Sequence, residues 1–388
     1  MFSDLAAYFL RWYHERPVAL TSARWQELER LHRVLYACVR FFCDRYEEFL
    51  PDVMPLSDKE MILLERQRQY PFRAGTWRPD YILDRDGNIR ICEITSRFFA
   101  HGIFMSWFGE QAADRFLREH LPGEGRRSCF PALMEYMLHL ADGKRKLFVL
   151  KSADKSSEIR LYTRFYASQG LDVAVLEAPE VEGRRKDWCR SDALVVNALN
   201  QKDILDFSMG TLEALMEAGL YSDFLNTFLI HDKRMMTLWF RDDFTSRCLG
   251  PEDAAFLRAH AIPTFLEIPA DAYENRDRYI LKPWRLGKSE GLLPGPLMTE
   301  DAWKRRLDQG TDGLLAQPFI QQKSFRTVWE GTPFEDYLCG MLLCVDHHYF
   351  GPGFFRFSSL PVTNMGDDRK GCALAADHPA ILSCCDVL

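Results

Sequence analysis

Residues 76–97, TWRPDYILDRDGNIRICEITSR, constrain this chain more than any other stretch. Apolar and polar residues alternate in DYIL and again in IRICEI, and the Asp-Gly of DRDGN supplies a tight turn between them. The segment therefore reads as a two-strand hairpin. Residues two apart on a strand share a face, so Arg78 and Asp80 point the same way, as do Glu93 and Thr95 on the partner strand. One cation and two carboxylates at this spacing suit a site that holds a metal and a phosphate together. Taken alone, the segment also matches a surface hairpin with solvated charges, so its meaning depends on the rest of the chain.

The chain has 388 residues, which suggests about two or three domains. A formal charge of -7, from 49 basic and 56 acidic residues, leaves no electrostatic footprint for nucleic acid. The mild acidic excess is compatible with a cationic substrate and equally with ordinary solubility. Eleven cysteines are scattered without a CxxC pair or a zinc-type spacing. Several, including Cys38, Cys43, Cys339 and Cys344, sit in apolar runs, where a reduced thiol behaves as a small hydrophobe. That usage and the odd count point to a reducing compartment. The N-terminal MFSDLAAYFLRWYHERP lacks the pattern of a signal peptide, and no apolar stretch approaches about 18 residues. A cytoplasmic protein without a membrane or nucleic-acid partner is expected; oligomeric state is not legible.

Four regions are expected. Residues 1–72 read as helical, with Ser22 capping the long amphipathic run that ends near residue 50, and SDKEMILLERQRQ as a second helix. Residues 73–145 hold the hairpin and two helices near 105–119 and 130–141. Residues 146–225 alternate strand, helix and strand (KLFVLKS, SSEIRLYTRFYASQG, DVAVLEAPE, then DALVVNAL), the rhythm of a small parallel α/β unit. Residues 226–388 read as one α+β unit: a helix in HDKRMMTLWFRDDF, an extended RYILKPWR, a Gly-bearing loop, a helix around 299–308, and several strands. Neither GxGxxG nor GxxxxGK[ST] occurs, which argues against a Rossmann or P-loop site.

Four further segments carry charge or polarity where chemistry could use it. YILKPWRLGKSEGL puts Lys282 at a strand end, followed by Arg285, Gly287, Lys288 and Gly291 in a loop able to close over a polyphosphate. Lys233 opens a helix, where it opposes the helix dipole unless an anion is near. In GLLAQPFIQQK an apolar strand leads to Gln317 and a proline, a hinge whose backbone can meet an adenine edge. In GPGFFRFSSLPVTN, Arg356 lies among aromatics eight residues before Asn364, and a buried arginine needs an anionic partner. Each segment alone also has a bland reading as core strand, solvated lysine or basic turn.

In this order the pieces resemble the ATP-grasp superfamily, in its circularly permuted branch, and within that the synthetase domain of glutathionylspermidine synthetase-like proteins; eukaryotic glutathione synthetase shares the arrangement. The family's R-x-D and E-x-N stand here as Arg78-Pro79-Asp80 and Glu93-Ile94-Thr95, with Thr95 in place of the usual asparagine. The N-K-x-x-L-x-x-L-W helix is HDKRMMTLWF, and the K-P-x-x-G-R-E-G loop is the looser stretch from Lys282-Pro283 to Gly291. Q-x-F is Gln317-Pro318-Phe319, and G-x-G-x-R leading to I-T-x-N is GPGFFRFSSLPVTN. The resemblance implies a permuted ATP-grasp fold of mixed α+β and α/β character, with a helical N-terminal part and a small parallel α/β unit. It implies an ATP-dependent carboxylate–amine ligase that works through an acyl phosphate and uses ATP and Mg²⁺. Asp80, Glu93 and Thr95 would be metal ligands, with Arg78 and Arg356 catalytic. Lys233, Lys282, Arg285, Lys288 and Gln317 would contact ATP. Substrates would be a small carboxylate and an amine, such as an amino acid, small peptide or polyamine. A catalytically inactive ATP-grasp binding protein and an ATP-grasp phosphotransferase are the alternatives.

Overall fold

The computed structural model describes residues 2–96, 102–153, 157–287, 289–375 and 377–388. Its architecture is mixed α and β, with several sheets. The first region is less uniformly helical than its periodicity suggests. After a helix at Ser3–Leu10 comes a short buried strand, β1 (Val18–Leu20), and only then the long helix Ser22–Arg45. Thr21, not Ser22, caps that helix, its hydroxyl accepting the Arg24 N–H at 3.2 Å. Both residues can cap, and the one whose backbone stays extended takes the role. Leu28, Leu31, Leu35, Val39 and Phe42 form the buried stripe, at the three- and four-residue spacing of one helix face. The helix Asp58–Gln67 starts with a capping box, in which Ser57 and Glu60 each bond the other's backbone.

The hairpin forms as read: β2 (Thr76–Leu83) and β3 (Ile89–Thr95) pair antiparallel, placing Arg78 opposite Thr95 and Asp80 opposite Glu93. Asp84 closes the turn by accepting the Asp86 and Asn88 N–H groups at 3.1 and 2.9 Å, and Gly87 takes φ of 81°. Helices Ile103–His120 and Phe130–Leu140 follow. β4 (Lys146–Lys151), β5 (Asp172–Glu177) and β6 (Ala193–Ala198) then make a three-stranded parallel sheet in the order β5-β4-β6. All six residues of β6 are buried, as expected of a parallel strand covered on both faces.

The segment expected as one helix, residues 231–244, is divided into a 3₁₀ helix at Lys233–Phe240 and an α-helix at Asp242–Cys248, and a wide π-helical turn at Asn226–Ile230 precedes it. β7 (Tyr279–Pro283), β8 (Leu293–Pro294) and β9 (Leu314–Pro318) form a small antiparallel sheet in the order β8-β7-β9. It packs on the helix Glu300–Asp308 through a compact core of Tyr279, Leu281, Trp303, Leu314 and Ala316. β10 (Ser324–Trp329), β11 (Thr332–Val345), β12 (His348–Pro352), β13 (Phe355–Ser358) and β14 (Arg369–Gly371) follow. They join the hairpin in a seven-stranded sheet running β14-β13-β11-β2-β3, with β10 and β12 also on β11. The hairpin region and the 226–388 region thus share one sheet. Last, β15 (Ala373–Ala375) and β16 (Asp386–Val387) flank β1, both parallel to it. Among the described residues no helix is long and apolar enough to cross a membrane.

The first residues of the chain are tied to the seven-stranded sheet near Asp336, which is fully buried. Thr327 donates to it at 2.7 Å, Arg369 donates to both of its oxygens, and His14 Nε2 lies 3.4 Å away. Burial alone would raise the Asp336 pKa; these partners outweigh burial and hold it at about 2, below its ordinary 3.8. A depressed carboxylate pKa stabilises the fold above the unfolded value and loses that contribution as pH falls through the folded one. Between pH 4 and pH 2 the wild type is expected to lose about 2 kcal/mol from this group alone. Urea unfolding across that window should show a flatter pH slope for Asp336→Asn.

Candidate active site

A cavity of about 300 Å³ is lined by residues of the seven-stranded sheet, of the small β8-β7-β9 sheet, and of the helix Ser157–Ser168. Asp80 lies at one side of it, 3% exposed. Arg78 grips it with two bonds, Nε to Oδ1 at 2.6 Å and Nη2 to Oδ2 at 2.9 Å. Arg356 Nη2 adds a third, to Oδ2, at 2.7 Å. Register explains the meeting. Ile82, Cys339 and Arg356 are aligned across β2, β11 and β13, and Asp80, two residues back on β2, shares their face. Behind the sheet, Gly340 sits opposite Tyr81, and a Cβ there would come within 2.2 Å of the buried Tyr81 ring. The missing side chain lets β2 and β11 close up without displacing that ring.

Arg356 also donates to the Cys339 sulfur at 3.1 Å and to Asn364 Oδ1 at 3.3 Å. Burial disfavours its charge, but Cys339, Asp80, Cys92 and Glu93 more than compensate and raise its pKa. Cys92 occupies a register shift between Asp80 and Tyr81 in the β2–β3 ladder, and its thiol interacts with that of Cys339. This interaction lowers the Cys339 pKa, with burial opposing it.

Glu93 faces the same cavity from β3. Lys233 Nζ stands 3.2 Å from its Oε1. Burial would raise the Glu93 pKa, yet the charges of Lys233 and Lys282 lower it. Lys282 is nearly buried at the end of β7 and donates to the Cys92 carbonyl at 3.1 Å. Lys233 also donates to the Leu286 carbonyl at 2.6 Å, so one ammonium touches both the hairpin and the loop after β7. Gln317, on β9, is fully buried. Its amide nitrogen donates to Thr264 at 2.9 Å, while its Oε1 has no hydrogen-bond partner among the described residues.

The structure therefore brings Arg78, Asp80, Glu93, Thr95, Lys233, Lys282, Gln317 and Arg356 to one cavity. Two of the ten candidates stand apart. Lys288 lies outside the described residues. Arg285 does not line the cavity: its guanidinium pairs with Asp232 at 2.9 Å and with Glu60 at 2.6 Å. It is an anchor for the loop rather than an open phosphate ligand. Asp232 in turn caps the Lys233–Phe240 helix and holds Arg234, whose guanidinium stacks on Trp284 at 4.1 Å. The Lys233 N–H is bonded to the Trp284 carbonyl at 2.9 Å. Sequence reasoning assigned no role to Glu60 and Asp232, nor to Glu158 and His231, which also line the cavity.

No group of three or more His, Cys, Asp or Glu side chains is placed to hold a metal ion among the described residues. Asp80 and Glu93 nevertheless supply two hard oxygen donors from opposed strand positions, with the Thr95 hydroxyl nearby in register. This donor chemistry fits Mg²⁺, which is commonly held by one or two carboxylates with waters and substrate phosphates completing the shell.

Two likenesses to known proteins accompany this geometry. The chain is 24% identical over 407 aligned positions to the ATP-grasp enzyme ankG of Aspergillus thermomutatus, spanning 88% of this chain and 84% of that one. A family model described as the AnkG N-terminal domain matches residues 28–224, which hold most of the long helix, the hairpin and the parallel α/β unit. With half of its length matched, the chain belongs to the AnkG N-terminal domain family.

Proposed function

We propose that the chain is an ATP-dependent carboxylate–amine ligase of the ATP-grasp type. The observation that carries this reading is the convergence of Arg78, Asp80, Glu93, Lys233, Lys282 and Arg356 on one cavity between two sheets. Phosphoryl transfer needs positioned cations and little covalent chemistry from the protein, and four of these six residues are cations. The relative's name, ATP-grasp enzyme, supports the same class. The finer likeness to the permuted, glutathionylspermidine synthetase-like branch belongs to the proposal and rests on the sequence motifs. So do the small carboxylate and the amine, whether amino acid, peptide or polyamine, as substrates.

In this reading Lys233 and Lys282 hold the nucleotide phosphates. The open Gln317 acceptor suits the exocyclic amino group of adenine, since a buried carbonyl gains by finding a donor. Asp80, Glu93 and Thr95 would hold Mg²⁺, which when bound supplies charge neutralisation for the transferring phosphoryl group. The substrate carboxylate takes the γ-phosphoryl group to become an acyl phosphate. Arg78 and Arg356 stabilise the charge on that mixed anhydride, and an amine then displaces phosphate from its carbonyl carbon. Arg285 acts at one remove, by keeping the 284–287 backbone against Lys233.

An ADP-release screen over paired carboxylates and amines, read by mass spectrometry, tests the class. The expected product has the summed mass less one water. A stable phosphorylated product would instead mark a phosphotransferase, and no ADP release from any pair would mark an inactive binder. Glu93→Gln is expected to slow ADP release by about 100-fold or more while the protein still folds, with a lower unfolding midpoint because the buried Lys233 loses its carboxylate partner, and wild-type rates would remove the metal assignment. Asp80→Asn should slow it similarly while also destabilising the fold, because two guanidiniums lose their shared anion.

Arg285→Met is expected to weaken ATP binding by about 10-fold, equivalent to about 1.4 kcal/mol, in a calorimetric titration. Unchanged affinity would show that the loop keeps its place without the Asp232 and Glu60 anchor.

A further inference from the structure

One carboxylate in the cavity has no part in the phosphate chemistry above. Glu158 stands in the first turn of the helix Ser157–Ser168, in the parallel α/β unit, and lines the cavity with Ile159. Its Oε1 accepts the Met105 N–H at 2.9 Å, at the start of the helix Ile103–His120. Its Oε2 is shielded from solvent and has no hydrogen-bond partner among the described residues. A carboxylate that served only to cap the neighbouring helix would be satisfied through one oxygen. The second is a buried acceptor without a donor, which costs free energy unless something in the cavity supplies one.

The other cavity acids are already matched. Asp80 is held by two arginines and Glu93 by Lys233, while Glu290 is exposed to water. Burial raises the Glu158 pKa to about 7, against the Met105 and Phe104 N–H groups and the charges of Arg78 and Lys370, which favour the anion. Tyr13 is a further titratable group that feels its charge. A base that titrates near neutral pH is well matched to taking a proton in the reaction and returning it to water afterwards.

We propose that Glu158 receives the ammonium group of the amine substrate and takes its proton, so that the free amine can attack the acyl phosphate. This rests on the ligase reading above. The ionised Glu158 accepts one proton from R–NH₃⁺, giving R–NH₂ and a neutral carboxylic acid. The nitrogen lone pair then forms the C–N bond at the acyl carbon, and the C–O bond to phosphate breaks with its electron pair leaving on phosphate. The second nitrogen proton leaves with that phosphate, and Glu158 returns its own proton to solvent. The ligand class is therefore a primary amine that is cationic at neutral pH.

The test separates activation of the carboxylate from attack by the amine. Hydroxylamine is already uncharged at neutral pH and traps an acyl phosphate as a hydroxamate without needing a base. The wild type is first run with Mg·ATP and hydroxylamine over the protein amino acids and common di- and tricarboxylic acids, then with cationic amines on each carboxylate that reacts. Glu158→Gln is expected to keep hydroxamate formation within a few-fold of wild type while amide formation falls by about 100-fold or more. The wild-type profile should bend near pH 7, whereas the residual activity of the Gln variant should show no bend there and keep rising with pH as the free amine becomes more abundant. Equal losses of hydroxamate and amide would make Glu158 a structural cap and overturn the proposal while leaving the ligase intact. Unchanged amide formation would overturn it too. No hydroxamate from the wild type with any carboxylate would remove the ligase reading, and the proposal with it. Glu158→Asp, which keeps the charge but shortens its reach, should retain more amide activity than Glu158→Gln if proton transfer is the role.

Discussion

A carboxylate cannot be buried cheaply unless cations meet it with good geometry, and Asp80 is where this chain accepts that demand. Its two oxygens are shared between Arg78 on its own strand and Arg356 on β13, one strand beyond β11. That three-way contact ties the register of the hairpin to the register of β13. It also depends on β2 lying tight against β11, which the absent side chain at Gly340 allows. The charges proposed to handle phosphate are thus the same charges that fix the sheet, so site geometry and fold are specified by one set of contacts.

A second layer of ion pairs sets the opposite wall. Asp232, itself fully buried, joins Arg234 and Arg285, and Arg285 reaches on to Glu60 in a helix of the N-terminal region. Lys233 lies between these layers. Its ammonium touches the hairpin carboxylate and the loop carbonyl, and its amide is bonded to Trp284. Loops that carry binding residues are usually the mobile part of a scaffold; this one is pinned near its start by residues drawn from two separate stretches of sequence, Glu60 and residues 232–234. A lysine at the start of a helix is electrostatically unfavourable, and the Asp232 cap together with Glu93 supplies the missing negative charge.

How much of this was legible follows from the range of the interactions. The hairpin was readable because alternation, an Asp-Gly turn and the register they impose are all local. The parallel α/β unit was readable for the same reason. The cavity residues beyond the hairpin became visible only through the ordered resemblance, since a lysine at a strand end or a glutamine before proline has no signature of its own. Arg285 was misplaced because its partner Glu60 lies 225 residues away, and no pattern near RLGKSEG records that pairing. Glu158 was invisible: an acid in the first turn of an amphipathic helix looks the same whether it meets water or a cavity. β1 was hidden because three residues are too few for a period, and its partners lie at the far end of the chain.

The placement of β1 has a consequence for the order in which the molecule can be completed. It is the central strand of its sheet, with β15 on one side and β16 on the other, and both pairings are parallel. A strand at residues 18–20 emerges from the ribosome early, at a rate of about 5–20 residues per second, but neither neighbour exists until residues 373–387 have been made. Until then its backbone donors and acceptors have neither strand of this sheet to meet. The central strand of this sheet is thus covered by two segments translated long after it.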